Sequence, residues 1–391
     1  MARLPRVTAG GPSIGVVGGG QLARMLQQAA IGLGVPLRLL AETHDASAAQ
    51  VVAGAAVGAP DDLAALRKLA AETTVLTFDH EHVPTEHLRT LVAEGVVCRP
   101  SPDALVHAQD KAVMRTRLAD IGSDCPRSEV VATLTDVDDA AKRLDGYPLV
   151  LKVTRGGYDG RGVWVVESAS DAEPAFDVAA GAGAQVLAEE LVPFVRELAA
   201  VVGRSPSGQT AVYPVVESVQ RDGICHEVVA PAPGLDPGLA TRAQQTALRI
   251  AGELDVTGIL AVEMFETADG RVLVNELAMR PHNSGHWSID GAVTSQFDNH
   301  LRAVLDLPLG SARARAPWTV MVNVLGGANS RPYDGYPHVL ARDPDVRVHL
   351  YGKSARPGRK LGHVTAYGDD LEQVRARARH TAGWLAGEEA P

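Results

Sequence analysis

The chain has 391 residues, of which 46% are apolar, so about two to four domains with ordinary cores are expected. Its formal net charge of −10 and the lack of a long basic block argue against a nucleic-acid-binding protein. The first residues contain no apolar run of the kind that a signal peptide needs, and Cys98, Cys125 and Cys225 do not have zinc-site spacing. We therefore expect a cytoplasmic protein that binds neither nucleic acid nor a membrane.

Strand-like and helix-like segments alternate from residue 13 to about residue 100, which predicts a parallel sheet with crossover helices. SIGVVGGGQLARMLQQAAIGLG predicts a strand, a glycine turn and a helix. Further strands are predicted in PLRLLAE, TTVLTFDHE and VVCR, and helices in DDLAALRKLAAE and PTEHLRTLVAEG. PSPDALVHAQDKAVMRTRLADIG predicts one connecting helical segment. Residues 1–118 are thus predicted to form a Rossmann-like α/β domain.

Strands predominate from about residue 126. YPLVLKV and GVWVVES flank a glycine-rich stretch, a helix is predicted at 169–180, and AQVLAEELV is a strand. Longer strands joined by tight turns (RELAAVVGR, QTAVYPVVESV and GICHEVVAPA) precede a helix at 237–254 and a β-hairpin in GILAVEMFETADGRVLVNEL. LPLGSARARAP is typical of a linker, and the tail has three short strands and a closing helix from Asp370. The predicted domains are 119–317, with a lid subdomain at about 126–190, and a small β-rich domain at 318–391.

The predicted hairpin places two acidic residues opposite each other. A two-residue turn at 269–270 would pair Glu263 with Glu276, with Cβ atoms about 5 Å apart on one face. Asn275 and Met264 would face the other way. Two carboxylates at that separation repel each other unless a cation lies between them, and hard oxygen ligands suit Mg²⁺ bound to a polyphosphate. The pattern predicts a magnesium site, and two exposed glutamates in a shifted register are the alternative.

The stretch TRGGYDGRGVWVV contains four glycines before an apolar strand. Glycine there costs backbone entropy and contributes no packing, so we expect another group to approach this main chain closely. Lys152, one of six lysines against 31 arginines, ends the preceding strand. Main-chain N–H groups beside a compact cation suit a phosphate, and a plain hairpin turn is the alternative. Together with the acidic pair, this pattern favours a nucleotide polyphosphate.

The sequence VVGGGQLA follows a predicted strand and opens a predicted helix. With Glu42 downstream, it fits the glycine fingerprint of a dinucleotide-binding turn. It fits equally well any strand–helix turn that receives a phosphate on main-chain N–H groups. The sequence pattern alone leaves both interpretations open.

Two motifs in the second half of the chain, RPHNSGH and RPGRK, suit anions. They collect cationic and amide side chains: Arg280, His282 and Asn283 in the first, and Arg356, Arg359 and Lys360 in the second. Charge and paired donors in the first motif suit a small planar anion, and a satisfied polar turn is the alternative. The second motif is either a solvated surface loop or an anion site on a glycine turn.

The motifs GGGQLARML, FDHEHVP, GGYDGRG, NELAMRPHNSGHW and RPGRKLGH together resemble the N5-carboxyaminoimidazole ribonucleotide synthetase family of the ATP-grasp superfamily. The resemblance covers about residues 14–365, and RPHNSGHW and RPGRKLGH are its most specific parts. It implies an ATP-grasp fold and a homodimer that carboxylates 5-aminoimidazole ribonucleotide with ATP, Mg²⁺ and bicarbonate. Bicarbonate oxygen would attack the γ-phosphate to give carboxyphosphate, and the substrate amine would capture CO₂ or the mixed anhydride as a carbamate.

The resemblance also implies roles for individual residues. Nucleotide contacts would come from Lys111, Lys152, Gly157, Tyr158, Asp159, Gly160, Arg161, Gly162, Val163, Glu189, Glu190, Leu191, Val192, Glu197, Gln220, Asn275 and Glu276. In this set the lysines would contact phosphates, residues 157–163 would close over them, residues 189–192 would bind adenine through main-chain groups, and Glu197 would hold the ribose. Lys111 stands where the family usually has arginine, and Gln220 where it often has histidine.

The remaining implied contacts concern the metal and the other substrates. Glu263 and Glu276 would hold magnesium. Bicarbonate would contact Arg280, His282, Asn283 and Lys353. 5-Aminoimidazole ribonucleotide would contact Gly20, Gln21, Leu22, Glu81, His82, Tyr158, Arg161, Lys353, Arg356, Arg359 and Lys360, with His82 replacing an asparagine that is common in the family.

Three other functions fit parts of the same pattern. A formate-dependent glycinamide ribonucleotide transformylase of the ATP-grasp superfamily shares most nucleotide residues but would bind formate in place of bicarbonate. An NAD-linked oxidoreductase would use the first domain, and a nucleotide sensor would bind ATP without turning it over. Release of ADP, measured with each substrate omitted in turn, separates these possibilities.

Overall fold

The first layer of the computed structural model, which describes residues 11–157 and 160–388, is a parallel sheet with the strand order β3-β2-β1-β4. Its elements are β1 Ile14–Val17, α1 Gln21–Leu33, β2 Leu37–Ala41, β3 Ala56–Val57, α2 Leu63–Ala71, β4 Val75–Phe78 and α3 Thr85–Ala93. Every residue of β1 and β4 is buried, as expected for parallel strands covered on both faces. The predicted α/β layer is confirmed, although the strand predicted in VVCR is reduced to one parallel bridge between Cys98 and Leu76.

The connecting segment forms two helices, α4 Pro102–Gln109 and α5 Lys111–Asp120, where the sequence predicts one helical segment. Asp110 separates them because its backbone is extended, with φ −135° and ψ 112°. Its carboxylate accepts hydrogen bonds from the N–H groups of Ala112 and Val113 and so caps α5. The break makes Lys111 the first residue of α5, where its main-chain N–H donates to the carbonyl of Thr154 at 2.9 Å.

A second, antiparallel sheet, here called the lid sheet, has the order β5-β8-β6-β7. Its elements are β5 Ser128–Val131, α6 Leu134–Arg143, β6 Leu149–Val153, β7 Val163–Val166, the 3₁₀ helix Ala169–Ala172, α7 Glu173–Ala182 and β8 Val186–Glu190. In β6, Leu149, Leu151 and Val153 belong to one buried cluster with residues of α6 and α7. Since side chains alternate along a strand, Lys152 lies on the opposite face of this sheet.

The third and largest sheet, here called the central sheet, has the order β14-β13-β9-β11-β12-β15-β17-β16, with β10 paired to β9. Its strands are β9 Phe194–Arg204, β10 Thr210–Val212, β11 Val216–Arg221, β12 Ile224–Ala230, β13 Gly258–Thr267, β14 Val272–Ala278, β15 Trp318–Leu325, β16 Arg347–Leu350 and β17 Lys360–Gly368. The helices around it are α8 Pro237–Glu253, the 3₁₀ helix Asn283–Gly285, α9 Ser288–Gly291, α10 Gln296–Val304, the 3₁₀ helix Pro332–Gly335, α11 Tyr336–Arg342 and α12 Leu371–Ala386.

The central sheet differs from the sequence prediction in three places. The strand predicted in QTAVYPVVESV is divided into β10 and β11, and α11 is not predicted from the sequence. β12 pairs with β15 in antiparallel register from Glu227–Val322 to Ala230–Thr319. The strands that follow the predicted linker at 307–317 therefore continue the sheet that precedes it.

Side-chain hydrogen bonds join the N-terminal layer to the central sheet. Ser47 Oγ donates to the carbonyl of Tyr351 at 2.6 Å, and Thr77 Oγ1 lies 2.8 Å from His300 Nε2. The parallel sheet, the lid sheet and the central sheet border one shared cavity. Within the described part of the chain, no helix combines the length and the apolar character needed to cross a bilayer.

Candidate active site

A cavity of about 730 Å³ lies where the three sheets meet. It brings together most of the residues that the sequence analysis assigns to substrates. Those that line it are Gln21, Leu22, Glu81, His82, Lys111, Lys152, Gly157, Gly160, Val163, Glu189, Glu190, Leu191, Val192, Glu197, Gln220, Glu263, Asn275, Glu276, Arg280, His282, Asn283 and Lys360. Residues separated by more than 300 positions in the chain therefore share one chamber.

Several predicted site residues do not line this cavity. They are Gly20, Arg161, Gly162, Lys353, Arg356 and Arg359, while Tyr158 and Asp159 lie outside the described residues. Lys353 is nevertheless adjacent to it, because its Nζ donates to Oε1 of Gln21, which does line the cavity. Arg359 donates to Ser354 Oγ at 2.9 Å and so holds the turn of its own motif.

The acidic hairpin has the predicted pairing but not the predicted turn. The N–H of Thr267 donates to the carbonyl of Arg271, which makes the loop three residues long, with the left-handed Gly270 (φ 76°) at its end. A β-bulge at Asn275 then restores the opposition of Glu263 and Glu276. The prediction that Asn275 faces away from the carboxylates is wrong, because the bulge turns its side chain into the cavity.

The two hairpin carboxylates each contact a basic side chain from another element. Glu276 Oε1 lies 2.9 Å from Lys111 Nζ, and Glu263 Oε1 lies 3.0 Å from Nε2 of His282. Burial raises the pKa of Glu263, but the hydrogen bond from His282 and the charges of Lys360 and Arg280 together outweigh this effect, and the pKa is lowered. Glu263 is therefore available as an anion.

The hairpin donor set fits a magnesium ion. Two carboxylates and the amide oxygen of Asn275 are hard oxygen ligands, and Mg²⁺ characteristically takes few protein ligands, with phosphate and water completing its shell. In the described ranges 11–157 and 160–388, no group of three or more His, Cys, Asp or Glu side chains is arranged to hold a metal ion. A divalent ion at this hairpin would thus depend on the nucleotide for part of its coordination.

Lys152 is held in a buried network on the face of the lid sheet that borders the cavity. Its Nζ lies 2.6 Å from Glu189 Oε2 and donates to Asn275 Oδ1 at 2.9 Å. Arg115 Nε donates to the other carboxylate oxygen of Glu189 at 2.7 Å. Although burial raises the pKa of Glu189, the charges of Lys152 and Arg115 and the hydrogen bonds from both residues outweigh burial and lower the pKa.

This network changes the role expected for Glu189 and adds Arg115 to the site. Glu189 is predicted to act through its main chain, but its side chain, only 2% exposed, is the counter-charge that positions Lys152. β8 ends at Glu190, and the half-exposed Leu191 follows at the cavity wall. Arg115 lies in helix α5 without any local signal that separates it from other arginines of the chain.

Glu197 lies on β9 in the same cavity, and its pKa is shifted in the direction opposite to that of Glu189. Burial, together with the nearby charge of Glu263, raises its pKa to about 7. Its Cα is paired with that of Phe265 across the β9–β13 ladder. Near neutral pH this side chain can therefore donate or accept a hydrogen bond, as the hydroxyl groups of a ribose require.

The glycine turn before α1 is occupied by carboxylates of the protein itself. Asp79 accepts hydrogen bonds from the N–H groups of Gly20 (2.5 Å) and Ala23 (3.0 Å), and Glu42 accepts from Gly19 (3.1 Å). Burial raises the pKa of Asp79. A dinucleotide diphosphate cannot use these donors while the carboxylates remain, so the dinucleotide interpretation is wrong for this turn.

The first two residues of α1, Gln21 and Leu22, line the cavity, and their N–H groups differ from those of the glycine turn. No described residue accepts a hydrogen bond from the N–H of Gln21 or Leu22 at this end of α1. The predicted contact at Gly20 is thereby corrected, and an anion would meet the two following residues instead. His82, also at the cavity, has a pKa lowered by burial and by the neighbouring His80.

The motif RPHNSGH has internal partners for most of its polar groups. Arg280 Nε lies 2.8 Å from Glu81 Oε1. The amides of Asn283 and Asn323 exchange two hydrogen bonds of 3.1 and 2.8 Å, so Asn283 joins this motif to β15. Gln296 accepts from the N–H of His282 and donates to its carbonyl. These contacts support the alternative of a satisfied polar turn, and the anion site in this segment stays a prediction.

Comparisons with known proteins agree with this arrangement. The ribonucleotide synthetase preATP-grasp domain matches residues 12–109, the ATP-grasp domain matches 116–297, and the phosphoribosylaminoimidazole carboxylase C-terminal domain matches 319–377. An N5-carboxyaminoimidazole ribonucleotide synthase of Mycobacterium tuberculosis is 55% identical over 389 residues, which cover 98% of this chain and 90% of that protein. The synthase of Corynebacterium ammoniagenes is 49% identical over 382 residues, covering 96% and 92%.

Solved structures show the same similarity in three dimensions. The ADP complex of an N5-carboxyaminoimidazole ribonucleotide synthetase has a TM-score of 0.88 and 36% identity, covering 97% of this chain and 98% of that one. An Aspergillus clavatus N5-carboxyaminoimidazole synthase, solved with ADP and 5-aminoimidazole ribonucleotide, has a TM-score of 0.87 and 32% identity, covering 96% and 99%.

Proposed function

We infer the chemistry of this cavity from the premise that the chain belongs to the N5-carboxyaminoimidazole ribonucleotide synthase family of ATP-grasp enzymes. It is an ATP-dependent ligase that carboxylates 5-aminoimidazole ribonucleotide in purine biosynthesis. The observation that carries this function is the convergence of Lys111, Lys152, Glu263, Asn275 and Glu276 on one chamber. These side chains combine phosphate-binding cations with ligands for Mg²⁺.

The nucleotide is proposed to occupy the side of the cavity between the lid sheet and the hairpin. Lys152 already points toward Asn275, so a phosphate placed between the two sheets meets a fixed cation. Adenine would lie against residues 189–192, where the end of β8 leaves main-chain groups outside the sheet, and Glu197 would bind the ribose. Gln220 lines the same cavity, which supports its proposed contact with the nucleotide.

The glycine-rich stretch is proposed to cover the phosphates. Gly156, Gly160 and Gly162 all have positive φ, and a Cβ at Gly160 would lie 3.0 Å from the Cα of Gly223 in the turn between β11 and β12. The lid thus reaches across the cavity to the central sheet with main chain alone at the contact. Closure of this kind excludes water, which protects a labile acyl phosphate from hydrolysis.

Lys111 and Glu276 are proposed to change partners when the nucleotide binds. A phosphate oxygen is an alternative anion for Lys111, and its arrival releases Glu276 from the pair that the two now form at 2.9 Å. Glu263, Glu276 and Asn275 are the residues that would hold magnesium, which when bound neutralises phosphate charge and polarises the phosphoryl oxygens. His282, on losing Glu263, would be free to face bicarbonate.

The other side of the cavity is proposed to bind the two remaining substrates. The N–H groups of Gln21 and Leu22 and the amine of Lys353 suit the phosphate of 5-aminoimidazole ribonucleotide, with Lys360 at the same cavity. Arg280 and His282 suit bicarbonate. An oxygen of the bicarbonate is expected to attack the γ-phosphate of ATP, which gives carboxyphosphate and ADP. Little covalent chemistry is asked of the protein, which aligns the reactants and excludes water.

The test is ADP release with 5-aminoimidazole ribonucleotide and bicarbonate each omitted in turn. We expect ADP formation and carboxylated product only when both are present. Release that ignores both substrates would contradict the assignment, stimulation by formate with glycinamide ribonucleotide would favour the transformylase, and tight binding of ATP without turnover would favour a nucleotide sensor. The carboxylates on the glycine turn before α1 already argue against the oxidoreductase.

The compartment and the oligomeric state extend this proposal. Cys98 and Cys125 form no disulfide bond, which suits the reducing cytoplasm. The family resemblance supports a homodimer. Sedimentation equilibrium at micromolar concentration should give twice the 41.1 kDa mass of the chain, and a mass of one chain would contradict the dimer.

A further inference from the structure

His286 is a cavity-lining residue to which the sequence analysis assigns no role. It follows the 3₁₀ helix Asn283–Gly285, is 0% exposed, and belongs to the wall of the cavity. Its Nε2 atom has no hydrogen-bond partner among residues 11–157 and 160–388. Other buried polar atoms of the described residues also lack a partner, but His286 lines the cavity, so a ligand of the cavity is a candidate partner for this atom.

The tautomer of His286 follows from its neighbour Gln296. The amide oxygen of Gln296 accepts from the main-chain N–H of His282 at 2.9 Å, and its nitrogen donates to the main-chain carbonyl of the same residue at 2.7 Å. Because these main-chain groups fix which end of the amide is nitrogen, Gln296 Nε2 must donate to His286 Nδ1, 3.1 Å away. The proton of a neutral His286 ring is therefore on Nε2.

His286 is also kept neutral by its surroundings. Burial lowers its pKa well below the usual value, and interactions with His282, Lys360, His349 and Arg280 lower it further. The ring thus presents a fixed N–H donor near several cations. A donor of this kind matches the oxygen of an anion and does not match a cation or an apolar group.

We propose that the Nε2–H of His286 donates a hydrogen bond to an oxygen of bicarbonate, making it a binding residue for the carboxylation step. This inference rests on the proposed function, which places bicarbonate beside Arg280 and His282 of the same motif. Gln296 is then a positioning residue, since one side chain fixes both the main chain of His282 and the ring of His286. The motif holds its anion with a neutral, oriented donor in addition to its charges.

The kinetic test uses His286→Leu, which removes the donor at similar volume, and His286→Gln, whose amide can supply a donor in the same direction. We expect His286→Leu to raise the KM for bicarbonate by about 10-fold or more, because a hydrogen bond to a charged group is lost. The KM values for ATP and 5-aminoimidazole ribonucleotide should change less than about two-fold. His286→Gln should recover part of the loss.

His300 provides a matched control because it is also 0% exposed. Both of its ring nitrogens have partners, the hydroxyl of Thr77 and the N–H of Ile259, and it does not line the cavity. His300→Leu should lower stability without changing the KM for bicarbonate. If the two leucine variants change all three KM values alike, His286 has only a structural role and the inference is overturned.

A spectroscopic test on the unsubstituted protein avoids any problem of misfolded variants. In protein with ¹⁵N-labelled histidine, the Nε2–H resonance of His286 should shift when bicarbonate is added to the complex with Mg²⁺ and a non-hydrolysable ATP analogue. The same concentration of chloride should leave it in place. An unchanged resonance at saturating bicarbonate would overturn the inference.

Failure of this inference can be told apart from failure of the proposed function. If ADP release by the unsubstituted enzyme does not depend on bicarbonate, the proposed function itself is wrong. If release depends on bicarbonate while His286→Leu leaves its KM unchanged, only the assignment of His286 is wrong.

Discussion

The two lysines at the nucleotide side of the cavity differ in how their charge is balanced. Lys152 pairs with Glu189, which is 2% exposed and is also held by Arg115. Lys111 pairs with Glu276, whose side chain is 40% exposed. A buried pair is costly to separate, whereas a partly exposed pair exchanges partners at little cost. The protein thus combines a cation fixed before substrate arrives with a cation and a carboxylate that rearrange on binding.

The largest expected effect tests the exchangeable carboxylate. Glu276→Gln keeps the shape of the side chain but removes a ligand charge for Mg²⁺, so turnover should fall by about 100-fold or more. Steady-state ADP release across a magnesium titration measures this effect. Glu266→Gln, on the same hairpin but paired with Arg196 outside the cavity, is the control and should retain turnover. Equal activity of the two variants would contradict the assignment of Glu276 as a magnesium ligand.

The second effect tests the buried network. Glu189→Gln leaves Lys152 and Arg115 without their counter-charge, and we expect the free energy of unfolding to fall by about 3–5 kcal/mol. Urea unfolding at neutral pH measures the loss. Glu129→Gln breaks an exposed pair with Arg143 on the same lid sheet and should cost less than about 1 kcal/mol. Similar losses for both variants would mean that the buried network contributes no more to stability than the exposed pair does.

A third, smaller effect separates binding from stability at Lys111. Lys111→Ala should raise the KM for ATP by about 10-fold, because one charge-assisted contact with phosphate is lost. Its unfolding free energy should stay within about 1 kcal/mol of the original, since the pair with Glu276 is partly exposed. Lys111→Arg should restore much of the ATP affinity. A large loss of stability in Lys111→Ala would mean that Lys111, like Lys152, has a pair that is costly to separate.

The smallest effect is a pH dependence at Glu197. Because burial raises its pKa from 4.5 to about 7 in the folded protein, the folded state holds this proton more tightly than the unfolded chain does. Its contribution to stability is therefore present at low pH and is lost as pH rises from about 4.5 to 7. Glu197→Gln should flatten that part of the stability profile, as measured by urea midpoints at several pH values. An unaltered profile would mean that Glu197 ionises normally.

The features that could be predicted from sequence are those set by neighbouring residues. Alternation of apolar strands and helices identifies the parallel layer, and the opposition of Glu263 and Glu276 is confirmed. That pairing came out correctly although the loop is one residue longer than predicted, because the bulge at Asn275 offsets the difference. The orientation of Asn275 could not be predicted, since nothing in its local sequence marks a bulge.

The missed functional residues depend on partners that are distant in the chain. Asp79 reaches Ala23 across 56 positions, and Arg115 reaches Glu189 across 74. The tautomer of His286 needs Gln296, whose orientation depends on the main chain of His282. Such contacts arise only when the layers assemble, so residue type and spacing do not reveal them.

The pairing of β12 with β15 has a consequence for dissecting the molecule. If the chain were cut before Trp318, the backbone groups of β12 that now pair with β15 would become an open edge beside Val228, Val229 and Ala230, all 0% exposed in the intact protein. An apolar edge of this kind recruits strands from other copies and leads to aggregation. By pairing with β12, the C-terminal strands cover this edge of the central sheet and protect it from aggregation.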